Sequence, residues 1–97
     1  MSTTFIATLI VKPGMEGEFE RLQRELSELT HGSEPGTAVY DVIRHRTRPA
    51  TYVVYGRFKD EAAFQAHQAS PFHDRLVPPI LATLAEQMDL QFFDWIA

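Results

Sequence analysis

Cysteine is absent from this chain, which excludes disulfides, thiolate nucleophiles and thiolate metal sites together. Long apolar runs are absent as well. No segment approaches the roughly 20 apolar residues of a membrane span, and the N-terminus lacks the basic and apolar blocks of a secretion signal. No membrane partner is therefore expected, and the expected location is cytoplasmic. Positive charge is scarce, with 9 Lys and Arg against 13 Asp and Glu for a net charge of -4. No basic block interleaved with aromatics occurs, so nucleic acid is not an expected partner. The densest basic stretch, Arg44-His45-Arg46-Thr47-Arg48, reads as a solvated turn. Gly-rich phosphate loops, a Ser-His-Asp order and paired-carboxylate motifs are also missing.

What is present is a pattern of short, well-punctuated elements. Hydrophobic residues make up 44% of the 97 positions, enough for a compact core, and the length allows one domain over residues 1–97 with no separate cofactor-binding module. Thr3 to Val11 is β-branched and apolar, the composition of a strand, and Lys12-Pro13-Gly14 stops it. Met15, Phe19, Leu22, Leu26 and Leu29 then recur at helical spacing. That helix is expected to end before His31-Gly32, with the glycine as a left-handed cap. After the Glu34-Pro35-Gly36 turn, Thr37 to Arg46 and Thr51 to Phe58 read as a hairpin. Asp60 is an N-cap for a helix to about Ala69. Ser70-Pro71 signals another helix start, and Pro78-Pro79 should kink or restart it. Met88 to Ile96 alternates as a closing strand. The order β-α-β-β-α-β, with the second helix in pieces, predicts an α+β, ferredoxin-like fold with a four-stranded antiparallel sheet.

Helices can cover only one face of such a sheet, yet both faces carry apolar side chains. Phe5, Ala7, Leu9 and Val11 oppose Ile6 and Ile10, and Phe93 and Trp95 oppose Leu90 and Phe92. A wide exposed apolar surface is unusual in a monomer, so two sheets packing face to face in a homodimer are expected.

The chemistry is concentrated between Asp60 and Asp74, DEAAFQAHQASPFHD. His67 follows Phe64 by one helical turn, which sets it beside the apolar side, either as a carbonyl-bonded core-edge group or as a proton acceptor in a cavity. His73 lies just inside a helix start, where the dipole disfavours its charged form. The spacing of His67 and His73 matches no helical metal-ligand pair, and no metal is expected. His31 reads as a structural group at a helix end, and His45 as solvated. Arg57 shares a strand face with Tyr55 and Val53, and its guanidinium suits a phenolate or carboxylate.

Taken in order, these segments resemble one family. Lys12-Pro13-Gly14, Glu34-Pro35-Gly36-Thr37, Tyr52 to Tyr55, Phe58-Lys59-Asp60-Glu61-Ala62-Ala63-Phe64, His67 and Ser70-Pro71-Phe72 are similar to the antibiotic biosynthesis monooxygenase domain family, over most of the chain. The resemblance implies a dimeric α+β barrel. It also implies a cofactor-free oxygenase acting on a quinol, anthrone or polyketide-type phenol, with the small aromatic substrate and dioxygen as partners. By the same resemblance His67 transfers the proton. Tyr55 and Arg57 would hydrogen-bond the substrate, with His73 in the same binding set, and Phe64, Phe72 and Trp95 would form an aromatic wall. In the haem-degrading branch of the family, three positions hold asparagine, tryptophan and histidine; here they hold Ala7, His67 and Val77, which disfavours haem degradation. The fold also supports a non-catalytic dimeric ligand-binding module, or an isomerase or cyclase working by proton transfer alone.

Overall fold

The computed structural model describes residues 2–97. Its elements are β1 (Thr3–Ile10), α1 (Glu16–Ser33), β2 (Thr37–Arg44), β3 (Thr51–Phe58), α2 (Glu61–Gln68), α3 (Pro71–Ala82) and β4 (Asp89–Phe93). The strands form one antiparallel sheet in the order β2-β3-β1-β4. This is the expected α+β, ferredoxin-like arrangement: the two halves of the chain interleave, so that β1 and β3 occupy the centre. No helix among the described residues is long and apolar enough to cross a membrane.

Strand alternation decides which residues reach the core. Phe5, Ala7 and Leu9 of β1 and Tyr52, Val54 and Phe58 of β3 are buried with Phe19, Leu22 and Leu26 of α1, Phe64 of α2, and Leu76 and Ile80 of α3. Phe5 lies flat across β3 because its partner in register is Gly56; a Cβ at that position would run into the Phe5 ring. The alternate residues, Ile6, Ile10, Val53 and Tyr55, are only partly covered.

Local signals fixed most boundaries. Asp60 accepts from the Ala63 N–H at 2.8 Å and Ser70 from the His73 N–H at 3.3 Å, capping α2 and α3 as expected. Four details differ from the sequence reading. First, α1 does not stop at His31-Gly32. It runs to Ser33 and closes with the Glu34 N–H donating to the Thr30 carbonyl at 3.1 Å, so Gly32 needs no left-handed turn. Second, α3 continues through Pro78 and Pro79. Both prolines are exposed, and the carbonyls they leave without donors belong to exposed Asp74 and Arg75, where water can serve them. Third, β2 ends at Arg44, because His45 folds back to accept from the Thr47 and Arg48 N–H groups and organises the loop. Fourth, β4 is only five residues long; Asp94 to Ala97 leave the ladder.

Candidate functional site

Glu34 caps the C-terminal end of α1, where the helix dipole disfavours a carboxylate. Side chains compensate: its Oε1 accepts from the Thr37 hydroxyl at 3.0 Å and pairs with His67 Nδ1 at 2.8 Å. His67, in the last turn of α2, is 2% exposed. Its ring lies among Tyr40, Phe58 and His73, with centroids 5.4, 5.2 and 4.9 Å away. A carboxylate on Nδ1 selects the tautomer that donates from that nitrogen, leaving the lone pair on Nε2. The carboxylate thus fixes the orientation of the ring.

The approach of α2 to Glu34 depends on two small residues. Gly36 and Ala63 face each other so closely that a Cβ on Gly36 would lie 2.7 Å from the Ala63 Cβ. The Lys59 N–H donates to the Gly36 carbonyl at 2.8 Å and ties the start of α2 to the same turn. Small side chains here let His67 reach the end of α1.

Between helices and sheet lies a cavity of about 250 Å³ with mostly apolar walls. Phe5, Ala7, Leu9 and Val54 form its sheet side, and Phe64, His67, His73, Val77 and Ile80 come from α2 and α3. Gln23 and Tyr40 add polar groups from α1 and β2. The Tyr40 phenol is pushed well above its ordinary range, first by burial and then by the negative charge of Glu34, so it remains a hydrogen-bond donor. Burial and then the neighbouring His67 push the His73 imidazole down, against the opposing pull of Asp74 and Glu34. A larger hollow of about 590 Å³ opens between α1 and β2. It is lined by charged pairs such as Arg44 and Glu20, 3.5 Å apart. There the Tyr52 hydroxyl donates to Glu20 at 2.6 Å and is pushed up to about 12, by burial and then by Glu20. The smaller cavity has His67 in its wall, with Glu34 behind the ring, and is the candidate site.

The structure divides the residues singled out from the sequence. Phe64, His67 and His73 come together at the cavity. Phe72 is partly buried against the core instead of forming the cavity wall. Tyr55 and Arg57 alternate with Val54 and Phe58 on β3, so they occupy the opposite sheet face and do not meet His67. Trp95 is with them: the Arg57 guanidinium lies 4.5 Å from the Trp95 ring centroid. Glu34 was legible only as a turn residue, although an acid at a helix C-terminus is itself a signal that some partner compensates it. Gln23 carried no signal beyond a polar residue between Leu22 and Leu26 of the apolar stripe. Ala7, His67 and Val77, the positions compared with the haem-degrading branch, all line the cavity. Among the described residues no group of three or more His, Asp or Glu side chains is placed to hold a metal ion.

The family model for antibiotic biosynthesis monooxygenases matches residues 3–78. The chain belongs to that family. Glu34, His67 and most of the cavity wall fall inside the matched span, while Ile80, Leu81, Met88 and Leu90 lie beyond it. Among solved structures, an antibiotic biosynthesis monooxygenase is 29% identical with a TM-score of 0.89, over 98% of this chain and 99% of that one. A candidate monooxygenase of the same description from Caulobacter crescentus CB15 is 24% identical with a TM-score of 0.94, over 99% and 91%. A conserved protein from Methanosarcina mazei Go1 is 24% identical with a TM-score of 0.91, over 96% and 91%. The last two likenesses concern the fold. No curated protein matches the chain.

Proposed function

We propose that this member of the antibiotic biosynthesis monooxygenase family is a cofactor-independent monooxygenase acting on a small quinol, anthrone or related phenol. The observation that carries the reading is buried His67, paired through Nδ1 with Glu34, at the wall of an apolar cavity. Cavities of about 150 Å³ accept benzene, so one of about 250 Å³ has room for a fused aromatic substrate larger than a single ring. In this scheme His67 Nε2 removes a phenolic or activated C–H proton, and Glu34 stabilises the imidazolium that forms. Tyr40, kept protonated, donates to the developing oxyanion. The electron-rich anion then reduces dioxygen directly. For an anthrone-type substrate, a methylene group and one molecule of dioxygen give a carbonyl group and one molecule of water. The carbon is oxidised, one oxygen atom enters the product, and the other leaves as water with the two methylene hydrogens. The apolar walls exclude bulk water from the reacting anion.

The active form in this proposal is a homodimer joined through the sheet face that the helices leave open. On that side of the sheet Ile43 is 57% exposed, Phe93 45% and Trp95 50%, more apolar surface in one region than a monomer usually shows. Tyr55 and Arg57 belong to that surface, and their role in substrate binding would have to come through a partner copy. The test of the reaction is oxygen uptake with a panel of hydroquinones, naphthols and anthrones in metal-free protein. Uptake in the wild type that falls at least about a hundredfold in His67→Ala supports the proposal. Saturable binding with no uptake would make the protein a ligand-binding module, and turnover that persists without oxygen would make it an isomerase or cyclase.

A further inference from the structure

Two hollows of opposite character share a wall. The apolar cavity and the charged groove between α1 and β2 are both lined by Gln23 and Tyr40. Gln23 is 4% exposed, and its Oε1 is buried with no hydrogen-bond partner. A buried amide oxygen without a partner is costly, and such groups in folded proteins call for a reason. Structure alone supplies none here. The position lies in the second turn of α1, between Leu22 and Leu26, where leucine or methionine would pack without the penalty. Of the other polar groups in the cavity wall, His67 is paired with Glu34, Tyr40 stays protonated beside the same carboxylate, and Gln68 and His73 do not line the charged groove.

We propose that Gln23 is a specificity-determining residue that reads a second polar substituent on the substrate, and this rests on the oxygenase reading above. The ligand class is an aromatic compound with one acidic hydroxyl for His67 and another hydroxyl or amino group that donates to the Gln23 amide. The ring occupies the apolar cavity and the second substituent is directed toward the polar groove. Because an amide presents both an acceptor and a donor, turning it over would let the same side chain donate to the carbonyl of an oxidised product. An aromatic compound with a single hydroxyl leaves the amide unpaired and binds less well.

The test compares Gln23→Leu with wild type on two matched probes, 1-naphthol and 1,4-dihydroxynaphthalene. Affinity is read anaerobically by calorimetry, oxygen uptake is read separately, and thermal stability is recorded without ligand. A site built to hydrogen-bond a substrate group discriminates strongly against an analogue lacking it, so Gln23→Leu should lose about ten- to a hundredfold in affinity for the dihydroxy compound. Its affinity for 1-naphthol should be unchanged or improved. The unliganded variant should melt at or above the wild-type temperature, since a buried unpaired acceptor has been removed. Equal changes for the two probes, no change for either, or no binding of either by the wild type would overturn the proposal. So would a variant that fails to fold or melts well below wild type, because the amide would then serve α1. Preserved discrimination in binding without oxygen uptake would leave Gln23 as the reader of the second substituent and remove the oxygenase reading alone.

Discussion

His67 and Glu34 are 33 residues apart in the chain and 2.8 Å apart in the fold. One stands in the last turn of α2 and the other at the end of α1. Neither element by itself marks a base, but together they form a dyad whose carboxylate orients the imidazole.

Glu34→Gln tests that orientation. A glutamine at this position keeps the volume but can donate its N–H to Nδ1, which moves the ring proton to Nε2 and removes the basic lone pair. Oxygen uptake should fall about a hundredfold or more, with the far-ultraviolet spectrum unchanged. Wild-type turnover in this variant would take Glu34 out of the reaction.

Gly36→Ala and Gly32→Ala should have opposite effects. At Gly36 the added methyl meets Ala63 at 2.7 Å, while at Gly32 nothing lies within 4 Å. Gly36→Ala should cost about 1–3 kcal/mol in urea unfolding and lower turnover by displacing α2 from Glu34. Gly32→Ala, inside α1, should gain about 0.5–1 kcal/mol. A stability loss at Gly32 would mean that the helix does not persist past His31.

Stability should be bounded on both sides of neutrality. His73 has a folded pKa below its ordinary 6.5, from burial and from His67, with Asp74 and Glu34 opposing. As pH falls below that value the unfolded chain takes up the proton first, so stability is lost down through the lowered folded value. Tyr40 has a folded pKa above its ordinary 10.0, from burial and Glu34. As pH rises past 10.0 the unfolded phenol ionises first, and stability is lost upward through the raised value. Urea unfolding across pH should show the acid arm flattened in His73→Phe and the alkaline arm flattened in Tyr40→Phe. Arms that keep their full slopes in these variants would assign the dependence to other groups.

The open sheet face should hold two copies together. Light scattering should give twice the 11.1 kDa of one chain, and Val53→Asp, which adds a charge to that partly covered face, should give the single-chain mass. A wild type that runs as one chain would contradict the dimer.

Strand and helix order, the two capped starts at Asp60 and Ser70, and the apolar character of both sheet faces were determined by the sequence alone. Those features depend on period and on residues a few positions apart. The shared buried face of Phe64 and His67 was visible too, because residues three apart are neighbours on one helix. What the tertiary structure decided was who meets whom across long separations. It brought Glu34 to His67 through the close contact of Gly36 with Ala63, and it gave Gln23 a place on the wall of two hollows. It also turned Tyr55 and Arg57 away from the cavity, since alternate residues on β3 point to opposite faces and the helices cover only one. A one-dimensional pattern carries face and period, but only packing in three dimensions says which face lies over His67.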